Sequence, residues 1–552
     1  MADGTAAPAM RWWGWGDPAH ARVLPAHALG YLSERLGALG PARPPVALAH
    51  VRLEPSRLSA SMRGRLADIV GERHVRSDHG ERVTHAAGRG YVDLITLRAG
   101  EPLGAPDAVV LPRSHKQLRA LLELCAQSSL ALVPFGGGTS VVGGVAPLRG
   151  SHEAVLALDT RRLCEILELD REAMTVSVQG GLRAPALERH LAPHGLTLGH
   201  FPQSYEYVSL GGCAATRSAG QASTGYGTIA GMLLGLRLAA PTADIDLPPL
   251  PATAAGPGLR QLLVGSEGSL GVIEQLSLRV RAAPAERVYE GFFFREFSTG
   301  AQALRAMAQE HALPDVARLS DEQETQSSLA LARSGQLKDR LGETYLALRG
   351  YRDGCLAIFG FEGSPQQVRA RRRHTLELAR SYDGLALGRA PGEAWRRSRF
   401  EGPYLRDELL THGVMVETLE TAAQWSRVGT LHREVGDAIE QALRACGTPG
   451  LAMCHISHVY ESGASLYFTF LARRRQTDEL GQWRAVKQAA SGAIIAGKGT
   501  ITHHHAIGRD HAPWLERELG SGGVAALRAL KRELDPAGIM NPGKLLAHGS
   551  PH

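Results

Sequence analysis

The chain has 552 residues, of which 44% are hydrophobic and 21% charged, with a formal net charge of +6. This is the composition of a globular protein with room for two or three domains, and it excludes fibrous and disordered classes. The positive excess is small and dispersed. Nucleic-acid binding is therefore not expected, and the one dense run, Arg369 to His374, reads as the solvated face of a helix. Six scattered cysteines without a C-x-x-C pair suit a reducing compartment. Met1 to Met10 lack the apolar core of a signal peptide, and no run approaches the ~18 apolar residues of a membrane span. A cytoplasmic location is expected, with any membrane contact peripheral. The Ala, Arg, Gly and Leu bias suggests a GC-rich, bacterial coding sequence.

Residues 1–88 read as a helical N-terminal extension, with helical patterns at His27–Leu36 and Arg57–Ile69. Its aromatic knot Arg11-Trp12-Trp13-Gly14-Trp15-Gly16 is expected to anchor the extension on the main body. Residues 89–284 read as a first domain. Strands are expected at Ala108–Leu111, Leu130–Val133, Ala154–Leu158 and Thr175–Val178, and helices after the N-cap Ser114 to Gln127 and at Arg183–Leu191. Pro241–Gly258 reads as an inserted loop. Residues 285–510 alternate strands (Gly291–Phe294, Leu356–Gly360) with long amphipathic helices such as Ala422–Cys446, as a second, cap domain. Residues 511–552 form a C-terminal segment expected to return to the first domain.

Two glycine-rich stretches carry the first functional signal. In Pro134-Phe135-Gly136-Gly137-Gly138-Thr139-Ser140, glycines directly after an apolar strand let backbone N–H groups approach an anion unhindered by Cβ atoms, as a phosphate cradle does. The second is Gly265-Ser266-Glu267-Gly268-Ser269-Leu270-Gly271-Val272-Ile273. Neither fits G-x-G-x-x-G with a following acidic residue, which disfavours a Rossmann dinucleotide enzyme. The pair resembles the flavin domain of the vanillyl-alcohol oxidase family, also called the p-cresol methylhydroxylase (PCMH) type. The resemblance implies an α+β fold with a two-subdomain PCMH-type FAD-binding domain and an α+β cap. It also implies FAD held by Pro134, Phe135, Gly136, Gly137, Gly138, Thr139 and Ser140, by Pro202 and Ser204, by Gly211, Gly212, Thr216, Arg217, Ser218 and Gly220, and by Glu267, Gly268, Gly271, Val272 and Ile273. No linking histidine follows the first loop, so the FAD is expected to be non-covalent.

In the second half, Tyr404-Leu405-Arg406-Asp407, Gly463-Ala464-Ser465-Leu466-Tyr467-Phe468 and Thr502-His503-His504-His505 occur in the order of the alkyldihydroxyacetonephosphate synthases, a branch of that flavoprotein family. Pro202-Gln203-Ser204-Tyr205-Glu206 and Arg318 within Ala317-Arg318-Leu319-Ser320-Asp321 are similar to the same branch. This resemblance implies a redox-neutral exchange of the acyl chain of acyl-dihydroxyacetone phosphate for a fatty alcohol. Tyr467 would be the base, Arg406, His504 and His505 would assist it, and Arg406, His503 and Arg318 would bind substrate. A homodimer is also expected.

A tyrosine of pKa near 10 needs cationic neighbours to act as a base at neutral pH, and Arg406 and the histidines are the expected ones. Read as a strand, the histidine run places at most His503 and His505 on one side, so no metal site is expected. The alternative activity is an FAD-dependent dehydrogenase or oxidase of a hydroxy acid or alcohol. Sister D-2-hydroxyacid dehydrogenases carry H-x-G-D-G-N and E-H-G-x-G, whereas here those positions read His455 to Ala464 and His504-His505-Ala506-Ile507-Gly508.

Overall fold

Uninterrupted apolar runs such as Leu130-Ala131-Leu132-Val133 demand burial on both faces, which a parallel strand provides. A computed structural model describes residues 10–332 and 337–546; Met1 to Ala9, most of the stretch that lacks a signal-peptide core, and the end of the C-terminal segment lie outside them. Leu130–Phe135 pairs in parallel with Ala154–Asp159, and that strand pairs in parallel with Ala108–Val110. Ser114 caps the intervening helix, His115–Gln127, by accepting from Gln117 N. The fourth strand of this sheet, Val75–Arg76, comes from the N-terminal extension.

The second half of the first domain is an antiparallel five-stranded sheet in the order Ile166–Asp170, Thr175–Gln179, Val272–Arg279, Leu233–Ala239 and Asp244–Leu247. Its last strand lies inside Pro241–Gly258. That stretch is therefore not all loop: Asp244 to Leu247 pair with Ala239 to Leu236 at the sheet edge, where half-exposed polar residues are tolerated.

The cap is built on a seven-stranded antiparallel sheet ordered Leu385–Gly388, Glu286–Phe294, Cys355–Gly363, Val316–Ser320, Gly450–Val459, Gly463–Arg473 and Val414–Gln424. The helix expected from Ala422 starts only at Trp425 and runs to Ala445. Ala422 and Ala423 are held in the ladder opposite Ser465 and Ala464, where cross-strand pairing overrides alanine's helix preference.

The aromatic knot is an anchor. Trp15 is buried edge-on against Tyr207 with its indole N–H donating to Glu206, and Trp13 lies beneath the guanidinium groups of Arg11 and Arg98. Helix Ala26–Leu36 lays Ala28, Leu32 and Leu36 on Val414, Leu451 and Leu471 of the cap sheet. In the helix Pro365–Ser381, Arg371 and Arg372 are half-buried and pair with Asp315 and Glu290, so the basic run is only partly a solvated face. The C-terminal segment returns to the first domain: Leu132 N donates to Ile539 O at 2.8 Å, and Asn541 N donates to Leu132 O at 2.9 Å. All six cysteines are free.

Candidate active site

A cavity of about 830 Å³ opens between the first domain and the cap, within the usual range for a ligand site. Its floor is the first glycine loop. A Cβ on Gly137 would lie 2.4 Å from Tyr207 O, and Gly138 takes a φ of +65°. A side chain at the first position would collide with backbone, and the second favours glycine. Among the described residues, no protein group accepts from the backbone N–H of Gly137, Gly138, Thr139 or Ser140. Four donors, the first two on residues without a Cβ, fit the pyrophosphate of a dinucleotide.

Of the residues expected to hold FAD, Pro134 to Ser140, Pro202, Ser204, Gly211, Gly212, Thr216, Ser218, Gly220, Glu267, Gly268, Gly271, Val272 and Ile273 all line this cavity. Arg217 does not. It takes a positive φ, and its guanidinium bonds Gln261 at the surface. Cys213, buried in the helix after Ser209, lines the cavity too.

The opposite wall is polar and comes from separate cap elements. Tyr467, on Gly463–Arg473, pairs across the sheet with His455 on one side and Glu420 on the other. Its ring stacks on His455 at 4.8 Å and meets His505 edge-on at 5.3 Å. Burial pushes the Tyr467 hydroxyl up to about 12; Glu420 and Glu417 push the same way, while the Thr418 hydrogen bond and Arg318 oppose them. Arg318 donates to Glu324 at 2.6 Å and to His455 Nδ1 at 3.1 Å. Arg318 is thus a cation that favours the Tyr467 phenolate. The histidines add no positive charge at neutral pH, because burial brings His503, His504 and His505 each down to about 4.

Arg406, on the helix Gly402–Thr411, donates to Arg89 O at 2.8 Å and contacts Asp407, while its buried Nε has no protein partner. The rest of its motif holds the aromatic knot: Asp407 accepts from Trp15 N, and a Cβ at Gly16 would run into Tyr404. The knot therefore positions the helix that carries Arg406.

The histidine run is a loop, not a strand, so its side chains do not alternate. His504 and His505 line the cavity. His503 lies behind them, its Nε2 2.6 Å from the Tyr460 hydroxyl and its Nδ1 2.9 Å from His504 Nδ1. His458, His503 and His504 hold nitrogens within 4.8 Å of one another, a spacing the strand reading did not foresee. His458 Nε2 is engaged, donating to Gly220 O at 3.0 Å.

Sequence reasoning missed His455 and His458, although two histidines in an otherwise apolar strand are a visible signal. It also missed Glu420, a fully buried carboxylate in the run Val414 to Gln424. Its Oε1 accepts from the Thr502 hydroxyl at 2.6 Å, His505 N at 2.7 Å and His504 N at 3.0 Å, and its Oε2 accepts from His503 N. Burial opposes the charge, but His504, His505 and His503, which take up protons only in the acid range where a carboxylate titrates, and the Thr502 hydroxyl hold Glu420 well below the usual carboxylate range. Beyond the polar groups the cavity wall turns apolar, with Leu24, Leu331, Leu405, Leu409, Val416, Met453 and Leu471.

Residues 106–245 match the FAD binding domain family, and residues 283–545 match the C-terminal domain of FAD linked oxidases; FAD is the cofactor. The alkyldihydroxyacetonephosphate synthase of Dictyostelium discoideum is 32% identical over 510 residues, covering 91% of this chain and 83% of the relative. A solved alkyldihydroxyacetonephosphate synthase superposes with a TM-score of 0.84 at 29% identity, covering 97% of this chain and 98% of that one. p-Cresol methylhydroxylase with substrate bound shares the fold, with a TM-score of 0.68 at 13% identity over 90% of this chain and 99% of that one. With a PCMH-type FAD-binding domain, a cap bearing the expected tyrosine and histidines, and this identity over nearly its whole length, the chain belongs to the alkyldihydroxyacetonephosphate synthase family.

Proposed function

We propose that the protein exchanges the acyl chain of acyl-dihydroxyacetone phosphate for a fatty alcohol, releasing a fatty acid and forming an ether-lipid precursor without net redox change. The observation that carries this reading is the single cavity in which the glycine cradle, Tyr467, His504, His505, Arg318 and Arg406 meet an apolar wall. Non-covalent FAD, held by the loops around Gly136–Ser140 and Gly268–Ile273, supplies an electron sink when bound.

Tyr467 takes the proton from the substrate carbon that loses the carboxylate and gains the alcohol oxygen. Arg318, bonded to His455 and Glu324, favours the phenolate form. Arg406, which lines the cavity and is anchored by Arg89 O and Asp407, offers its guanidinium charge to the phosphate head. His504 and His505, neutral above pH ~6, accept and return protons to the leaving carboxylate and entering alcohol. His503 supports them from behind through its contact with His504. The apolar wall takes the alkyl chain.

No described helix is long and apolar enough to cross a membrane. Val23 is 83% exposed at the cavity edge beside Leu24. It offers a point of peripheral contact with a lipid surface for a cytoplasmic, homodimeric enzyme. The chemistry assigns no ion to His458, His503 and His504, so full turnover is expected after EDTA treatment. Loss restored by Zn²⁺ would reassign that cluster.

The direct test is incubation with acyl-dihydroxyacetone phosphate and a labelled fatty alcohol. The expected products are the labelled ether and free fatty acid, with no net flavin bleaching. Anaerobic bleaching by D-lactate, D-2-hydroxyglutarate or glycolate would instead establish a dehydrogenase.

A further inference from the structure

The segment Thr500–Gly508 has no regular secondary structure, and six of its main-chain N–H groups donate to carboxylates: Ile501 N to Glu518 at 2.7 Å and the other five to two buried ones. Glu420, on a cap strand, takes His503 N, His504 N and His505 N. Glu267, on the second glycine-rich loop, takes Ile507 N at 2.8 Å through Oε1 and Gly508 N at 2.7 Å through Oε2. Ala506, between the two grips, takes a φ of +74°. Both carboxylates are buried, at 0% and 7% exposure. Burying a carboxylate is costly unless its lone pairs are taken up, and a buried charge pair is a poor source of stability in itself. Five main-chain N–H donors, whose direction does not depend on the loop's own side chains, are what these two groups take up.

We propose that Glu420 and Glu267 are positioning residues that sling the histidine loop between the cap and the FAD-binding domain, fixing where the His504 and His505 imidazoles stand against Tyr467 and the cofactor cradle. The catalytic consequence rests on the function proposed above; the mechanical claim does not. Because Glu267 belongs to the loop that lines the cofactor side, the placement of the imidazoles is tied to the same backbone that forms the FAD site.

The test compares Glu420→Gln and Glu267→Gln with the native enzyme, as FAD-loaded full-length protein. Glutamine keeps the size but turns one acceptor into an NH₂ group. At Glu420 that group faces either His503 N–H or the Thr502, His504 and His505 donors. Hydrogen exchange read by mass spectrometry on peptides spanning residues 500–509 is expected to quicken by about tenfold or more, at 503–505 in the first variant and at 507–508 in the second. Flavin content should stay near the native level in Glu420→Gln. Its kcat should fall by about 10²-fold, with a smaller change in KM, as for misplaced reacting groups.

Arg318, Glu417, Glu420, His455, His504 and His505 are the charged and titratable groups around Tyr467. Removing one negative charge from that set should move the acid limb of the pH–rate profile to lower pH. If Glu420→Gln does not fold, Thr502→Val removes one of the four donors without touching the carboxylate and should give a smaller increase in exchange over 503–505. Unchanged exchange in the variants overturns the proposal, and so does faster exchange with kcat and the acid limb at native values. Absence of ether formation by the native enzyme would refute the proposed function, while the exchange result would still decide the sling.

Discussion

The two walls of the cavity are built on opposite principles. One wall is backbone: Gly136, Gly137, Gly138, Gly268 and Gly271 shape it by what they lack, and its donors are the unpartnered N–H groups of Gly137 to Ser140. The cap wall is side chain: Tyr467, His455, Arg318, Arg406 and the histidine loop come from five separate segments, and burial keeps the tyrosine and the loop histidines neutral at pH 7. A backbone wall is sensitive to added bulk. A side-chain wall is sensitive to the loss of single atoms.

The largest effect should come from the smallest chemical change on the cap side. Tyr467→Phe deletes one hydroxyl, and turnover should drop by about 10² to 10⁴, as on losing a general base, with FAD content and fold retained. Native-like turnover in that variant would make Tyr467 a packing residue and end the contrast.

On the cofactor side, Gly137→Ala adds one methyl 2.4 Å from Tyr207 O. A strain of about 1.4 to 2.7 kcal/mol is a tenfold to hundredfold loss of affinity, so the variant should purify depleted of yellow colour. Acid precipitation of native protein should release intact FAD into the supernatant; flavin retained in the pellet would mean a covalent link. Full FAD occupancy in Gly137→Ala would show that the cradle tolerates bulk.

A finer division lies among the arginines. Arg318→Met removes the cation that favours the Tyr467 phenolate and should raise the pH at which activity appears. Arg406→Met should mainly raise KM for phosphate-bearing substrates by about tenfold, while Arg406→Lys keeps the charge and loses less. If the pH shift belongs to Arg406→Met instead, the electrostatic assignment above is reversed.

A last effect is on stability. Burial brings His200, His503, His504, His505 and His511 each down to about 4 from an unfolded value of 6.5. The unfolded chain therefore binds protons first as the pH falls, and the stability contributed by these neutral imidazoles is present above pH ~6.5 and lost through pH ~4. Urea midpoints measured across that window should decline steadily. A flat midpoint would mean that the imidazoles are solvated and the cap wall is not dry.

The sequence alone determined the glycine wall of the cavity, because glycine clusters, strand patterns and turn chemistry act over a few residues and leave a contiguous trace. Leu130 to Phe135 leading into Gly136–Ser140 could be read as strand and cradle without knowing what packs on them. It also marked Tyr467, His504, His505, Arg318 and Arg406 as residues that line one cavity, by their motifs rather than by any local physics. Tertiary structure decided the rest. Whether His503 to His505 form a strand depends on Glu420, more than 80 positions away, and on Glu267, about 240 away. Arg217 sits in the right motif yet turns outward to Gln261. Which cation faces Tyr467 is set by strand order, because Val316–Ser320 pairs with Gly450–Val459 and brings Arg318 to His455. Charge and hydrogen-bond partners act through space, and only the folded chain puts those distances in place.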